Sequence, residues 1–163
     1  MLFRSRALDH GVKVVIAHCA GLGDNEDLDD PKRPRVPNFD LFLRLMSEKR
    51  YEGLLFADIS AMTQYNRIGG PLTTILQRED LHDHLVNGSD YPLPAVNLLI
   101  RTRALVQHGY ITKDERAWLN EIYDYNPLLF DLVLKRTIKL PGAERRLPAK
   151  VFMTNAAIES KDA

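Results

Sequence analysis

Three short apolar runs in the first part of the sequence each close on a polar side chain suited to metal binding or proton transfer. They are residues 12–19 (VKVVIAHC), 53–60 (GLLFADIS) and 84–90 (HLVNGSD). None alternates cleanly between apolar and polar, which predicts strands covered on both faces. Between the first two lies NFDLFLRLMSEKR, where Phe39, Phe42, Leu43 and Met46 share one helical face and Asn38 follows Pro37 as an N-cap. Between the second and third, PLTTILQRED is short and helical in character, opened by Pro71 after Gly69 and Gly70. The alternation β-α-β-α-β requires crossover connections and so predicts an α/β fold with a parallel sheet.

The rest reads as mostly helical. Thr112 and Glu115 form a capping-box pair ahead of a helix over residues 116–125. Asn126 and Pro127 supply an N-cap and a first-turn proline for LLFDLVLKR, whose apolar positions nearly surround the helix and predict burial. Residues 1–140 are expected to form one body. The tail, residues 141–163, lacks a sustained pattern and is expected to be an extension, partly disordered. Residues 24–35 place Asp24, Glu26, Asp27, Asp29 and Asp30 before Lys32, Arg33 and Arg35, with prolines at 31 and 34 and a third at 37. That predicts a solvated, proline-stiffened loop. A calcium loop of the EF-hand type needs Gly at its sixth position and Glu at its twelfth, and here those positions hold Asp29 and Arg35.

Charge narrows the function classes. Lys and Arg together number 22 and so do Asp and Glu, which argues against the clustered positive surface that nucleic acid requires. The single cysteine, Cys19, excludes an internal disulfide and fits a reducing compartment. Charges interrupt the N-terminal MLFRSRALDHGVK, so it does not read as a signal peptide, and no apolar stretch is long enough to span a bilayer. The expectation is a cytoplasmic protein with no membrane or nucleic-acid partner.

The intervals between His18, Asp58 and Asp90 each suit one strand–loop–helix–loop unit. In parallel α/β folds the C-terminal strand ends share one face, where side chains from separate strands converge. A histidine and an aspartate placed there can hold a divalent metal or deprotonate a water upon it. The local sequences add to this. VVIAHCAG and NGSDYP resemble the sixth- and eighth-strand signatures of amidohydrolase-related TIM-barrel proteins; LLFADISA is similar to the seventh strand, and YNPLLFDL resembles the helix after the eighth. The likeness covers roughly residues 5–140. It implies a partial (β/α)8 barrel contributing three parallel strands, about six to eight, and metal-assisted hydrolysis or decarboxylation of a small organic acid, amide or ester. It also implies that Asp90 touches the metal and takes a proton from the attacking water. His18 then binds a metal or contacts water and substrate. Asp58 has no fixed role in the family, so it is either an accessory group or a strand-end residue bonding to neighbouring backbone amides. Zinc is the expected metal, with manganese and iron compatible with the same donors. Cys19, facing away from His18 along a strand, is expected to be a small buried thiol.

The family's His-x-His pair on the first strand and its fifth-strand histidine have no counterpart here. The His82-Asp83-His84 triplet sits where the third strand begins, about 20 Å of strand from Asp90 at roughly 3.3 Å per residue. It is expected to be a pair of surface histidines on the opposite rim. Two ligands fall short of the three that catalytic zinc typically takes, so the chain alone is expected to bind metal weakly and turn over little. Three strands of a barrel also leave sheet edges uncovered. That is the expectation for a fragment, a truncated reading frame, or a chain completed by a homo-oligomer or the remainder of the barrel. The alternative is a non-catalytic α/β module, with residues 24–35 as a contact surface.

Overall fold

The apolar runs do pair into one parallel sheet, but over fewer residues than their hydropathy suggests. The computed structural model describes residues 2–96, 98–155 and 158. In chain order the elements are α1 (Leu2–Asp9), β1 (Val14–Ile16), β2 (Asp24–Glu26), β3 (Arg35–Pro37), α2 (Asn38–Met46), β4 (Leu55–Asp58), α3 (Gly70–Gln77), β5 (Leu85–Val86), α4 (Thr102–Gln107), α5 (Lys113–Tyr125) and α6 (Pro127–Thr137), with short 3-10 turns between several of them. The sheet order is β1-β4-β5. Val14 pairs with Leu55 and Ile16 with Ala57 on one side of β4, while Ala57 pairs with Leu85 and Asp58 with Val86 on the other. The central strand is covered on both faces, and Leu55, Phe56 and Ala57 are all buried. β1 is an edge strand, and its Val15 is 44% exposed.

α2 buries Phe39, Phe42 and Leu45, with Leu43 and Met46 packed against the same core. Its cap differs from the expectation. Pro37 occupies the N-cap position and Asn38 lies inside the helix, where its side-chain amide donates to the Leu22 carbonyl at 3.0 Å. The charged segment 24–35 is likewise more ordered than a solvated loop, because β2 and β3 pair antiparallel across it. Arg44 of α2 donates to both carboxylate oxygens of the buried Asp27, at 2.6 and 2.7 Å, and to Asp29 at 3.0 Å. These bonds hold the Asp27 pKa down at about 2.

The capping box of α5 forms as expected, with the Glu115 amide donating to Thr112 Oγ1 and the Thr112 amide to Glu115 Oε2. Asn126 caps α6 by accepting from the amides of Leu128 and Leu129, both at 3.0 Å. Burial of α6 is one-sided. Leu128 and Leu129 are exposed, while Phe130, Leu134 and the charged pair Asp131 and Lys135 are buried. Beyond it, Leu147 and Val151 join the core, and Lys139 and Arg146 form an antiparallel bridge. Residues 156, 157 and 159–163, where part of the expected disordered tail falls, lie outside the described residues. Among the described residues no helix is long and apolar enough to cross a membrane.

Candidate functional site

The site forms where β1 stops pairing. After Ile16 the chain turns sharply, and His18, Cys19 and Ala20 take positive φ angles of 55°, 49° and 49°. Such a conformation costs a non-glycine residue roughly 1–2 kcal/mol, so three in succession need outside support. Asp58 at the end of β4 provides it. Its Oδ1 accepts the His18 amide at 3.0 Å, and its carbonyl accepts the Cys19 thiol at 3.2 Å. Gly21 then closes the turn under tight packing. A Cβ there would lie 3.1 Å from the His18 carbonyl oxygen and 3.2 Å from Met62 Sδ. Cys19 ends fully buried, which pushes its thiol pKa well above the ordinary value. The expected buried thiol is present, though a kink and not strand alternation separates it from His18.

Asp58 also accepts the Ser60 amide at 2.9 Å and, through a short bond, the Ser60 hydroxyl. Burial acts to raise the Asp58 pKa, but the bonds from Ser60 and from the His18 amide outweigh it and hold the carboxyl below its usual range. That ionised acceptor orients the serine. Because the Ser60 hydroxyl proton is given to Asp58, its oxygen receives the proton of His18 Nδ1, 2.6 Å away. The lone pair of His18 is thereby left on Nε2, the arrangement a metal-ligating histidine uses. Nitrogen NMR of the imidazole should show the Nδ1–H tautomer in the native protein and a tautomer mixture in Ser60→Ala. An unchanged tautomer in the variant would remove Ser60 from this role.

His18 Nε2 faces Asp90 Oδ2 at 3.8 Å, both side chains being partly exposed. Asp90 follows the C-terminal end of β5 and has a φ of 55°. The approach to it is narrow. At Gly88 a Cβ would come within 3.3 Å of Ser60 Cβ and 3.7 Å of Asp58. The Gly88 carbonyl accepts from Lys135 Nζ at 2.7 Å, and the same ammonium reaches Asp131 Oδ2 at 2.6 Å. Lys135 and Asp131 are each about 1% exposed. Burial lowers the lysine pKa and raises that of Asp131 to about 6.

Arg67, in the turn-rich segment after β4, completes the surroundings. It is 9% exposed, and both of its hydrogen bonds leave from Nη1, to Gln64 at 2.7 Å and Asn66 at 3.2 Å. Among the described residues its Nε has no hydrogen-bond partner, and it is buried. Burial lowers its pKa, and the negative charge of Asp90 opposes that. Arg67 lines a groove of about 320 Å³ together with His18 and with Val14, Val15 and Ile16 of β1.

His18, Asp58 and Asp90 are therefore gathered at one end of the sheet. Asp58 serves as the backbone-bonding residue that orders the turn, with its Oδ1 3.5 Å from His18 Nδ1. The His82 and His84 pair lies before β5, at the end opposite Asp90. His82 is not a surface group, since it is 4% exposed and its Nε2 meets the Ile75 carbonyl at 2.9 Å. Packing of the turn under α3 accounts for the difference. Sequence reasoning passed over Ser60, Arg67, Asp131 and Lys135. Opposite charges four residues apart, Asp131 and Lys135, within the mostly apolar α6 were the visible signal for the last pair.

Two ligands on a tetrahedral zinc stand roughly 3.4 Å apart, given bond lengths of about 2.1 Å. The 3.8 Å between His18 Nε2 and Asp90 Oδ2 is close to that spacing. Among the described residues no group of three His, Cys, Asp or Glu side chains has metal-holding geometry. His18 and Asp90 supply two donors, fewer than the three that catalytic zinc typically takes. Comparison of the chain with models of protein families, with curated proteins and with solved structures gives no match.

Proposed function

We propose that this chain is the C-terminal part of a metal-dependent hydrolase or decarboxylase of amidohydrolase type, with β1, β4 and β5 as strands six to eight of a (β/α)8 barrel. The observation that carries the reading is the approach of His18 Nε2 to Asp90 Oδ2, 3.8 Å apart at the ends of two separate parallel strands. Further support comes from Ser60, which directs the free lone pair of His18 toward Asp90. The resemblance of the three strand ends to that family points the same way.

In this reading His18 and Asp90 are the residues that would hold a divalent ion, zinc first, with manganese or iron as alternatives. A bound ion of this kind lowers the pKa of its water toward neutrality. Asp90 would serve as the proton acceptor for an attacking water, and Asp58 keeps His18 in register through its bond to the His18 amide. Ligands beyond these two come from strands paired beyond β1 and β5, supplied by the remainder of the barrel or by a second copy. The exposed edge of β1, with Val15 at 44%, is available to such a strand. The substrate is a small organic acid, amide or ester, and the location cytoplasmic.

The test is turnover of a panel of carboxylic acids, amides and esters by the protein, with zinc, manganese or iron and with a chelator. Slow, metal-dependent product formation is expected, since this chain supplies two ligands where catalytic zinc typically takes three. A panel untouched under every metal, from a folded protein, would favour a non-catalytic α/β module.

A further inference from the structure

Arg44, Arg50, Arg78, Arg145 and Arg146 each pair with a carboxylate at 3.4 Å or less. Arg101, Arg103 and Arg116 form no ion pair among the described residues, and all three line one open cavity of about 390 Å³ between the start of α4 and the side of α5. Arg101 and Arg103 are exposed and Arg116 is half-buried, so each reaches solvent. Asp124 is the single carboxylate on the cavity wall, and the lining includes no residue of the sheet or its free edges.

Two of the three cations are held in place by neutral partners. Arg101 lies over the Tyr65 ring, with Cζ 4.3 Å from the centroid, and donates its Nε to the Leu98 carbonyl at 3.3 Å. Arg116 donates its Nε to Thr102 Oγ1 at 3.2 Å. Thr102 passes its own proton to Asn120 Oδ1 at 3.0 Å, which leaves the Asn120 amide nitrogen as a donor. The terminal nitrogens of both guanidinium groups therefore remain for another acceptor. Apart from Asp124, the wall offers N–H donors and positive charge already ordered by the fold, which lowers the cost of seating a ligand.

We propose that this cavity binds a dianionic phosphoryl group, either free phosphate or the monoester of a small molecule, between Arg101, Arg103 and Arg116. Guanidinium groups meet phosphate oxygens through paired N–H bonds. Three cations against one carboxylate favour a dianion over a singly charged phosphodiester, because the attraction grows with the charge of the ligand. Ile100 and Tyr123 give the cavity an apolar side for the molecule that carries the phosphate. The cavity shares no lining residue with the His18 and Asp90 pair, and this inference does not rest on the hydrolase reading.

Inorganic phosphate, glycerol 3-phosphate and the monoanion dimethyl phosphate are suitable probes. Each is titrated into the full chain at pH 8 with chelator present, and binding is followed by calorimetry and by the nitrogen NMR signals of Arg101 and Arg116 Nε. Phosphate and glycerol 3-phosphate are expected to bind at millimolar concentration or below and to move both signals. Dimethyl phosphate should bind at least about fivefold more weakly. Tighter binding of glycerol 3-phosphate than of phosphate would identify the monoester as the ligand, and the reverse order would identify free phosphate. Arg101→Gln and Arg116→Gln should each weaken binding about tenfold, the loss of a charge-assisted bond. Arg103→Gln should weaken it too, and it decides the question if either of the others fails to fold, since Arg103 makes no hydrogen bond or ion pair among the described residues. Arg78→Gln, which removes a paired arginine outside the cavity, should leave binding unchanged. The assignment would be overturned by no binding to the native chain at millimolar phosphate or glycerol 3-phosphate. Equal affinity for dimethyl phosphate would also overturn it, as would unchanged affinity in the folded cavity variants or an equal loss in Arg78→Gln. Displacement of glycerol 3-phosphate by a single-stranded oligonucleotide at lower concentration would replace it with a nucleic-acid surface. Because no metal takes part, a failed turnover panel leaves this result standing.

Discussion

Asp90→Asn should lower metal-dependent turnover by about 10³-fold while leaving the fold intact. The carboxylate stands 3.8 Å from His18 Nε2, placed to accept a proton there, and general-base contributions run at roughly 10²–10⁴-fold. Structural damage is not expected from this change. Asn is the same size as Asp and is well tolerated at a φ of 55°. The side chain is also partly exposed and serves no backbone cap. Steady-state rates alongside thermal melts check both halves of the expectation. Near-normal turnover by the variant would remove Asp90 from the chemistry, and a lost melting transition would mean that its role is structural.

Lys135→Met should be the most destabilising single change near the site, costing about 3–5 kcal/mol. It leaves Asp131 buried and uncompensated, with Oδ1 already lacking a partner. It also releases the Gly88 carbonyl that Lys135 holds two residues before Asp90. The cost should depend on pH in a definite direction. Burial already raises Asp131 to about 6 in the native protein, and removing the lysine pushes it further up. A carboxyl whose folded pKa exceeds its unfolded value favours folding only while protonated. Stability is therefore retained at low pH and lost as pH rises through the folded pKa, by up to about 1.4 kcal/mol per pH unit. Denaturant melts at pH 5 and pH 8 should show a larger deficit at pH 8. The double variant Lys135→Met with Asp131→Leu should recover most of the loss, because an apolar pair of similar volume often replaces a buried ion pair without penalty. A deficit independent of pH and not relieved by the second change would point to packing and not to charge.

Much of this arrangement was legible in the residues. Apolar runs without alternation marked the parallel strands, and Thr112 with Glu115 and Asn126 with Pro127 marked helix starts through local hydrogen bonding that tertiary context rarely overrides. Strand length was not legible. Pairing stops at Ile16 because the next turn is stabilised by Asp58, forty residues away along the chain. The hairpin through the charged segment depends on Arg44, seventeen residues from Asp27. Ser60 and Arg67 carry no sequence signature of their own. Their surroundings come from long-range packing, His18 Nδ1 beside Ser60 in one case and the burial of Arg67 near Asp90 in the other. Local pattern located the strand ends, and long-range contacts decided which side chains meet there.

The sharing of one ion by His18 and Asp90 is tested most directly by titrating the protein with cobalt, a spectroscopic stand-in for zinc, and comparing the native protein with His18→Ala and Asp90→Asn. Weak binding by the native protein is expected. Each variant should lose affinity by more than the roughly 10–100-fold typical of removing a residue that merely supports a ligand. Equal cobalt affinity in all three folded proteins would contradict a metal site between β1 and β5.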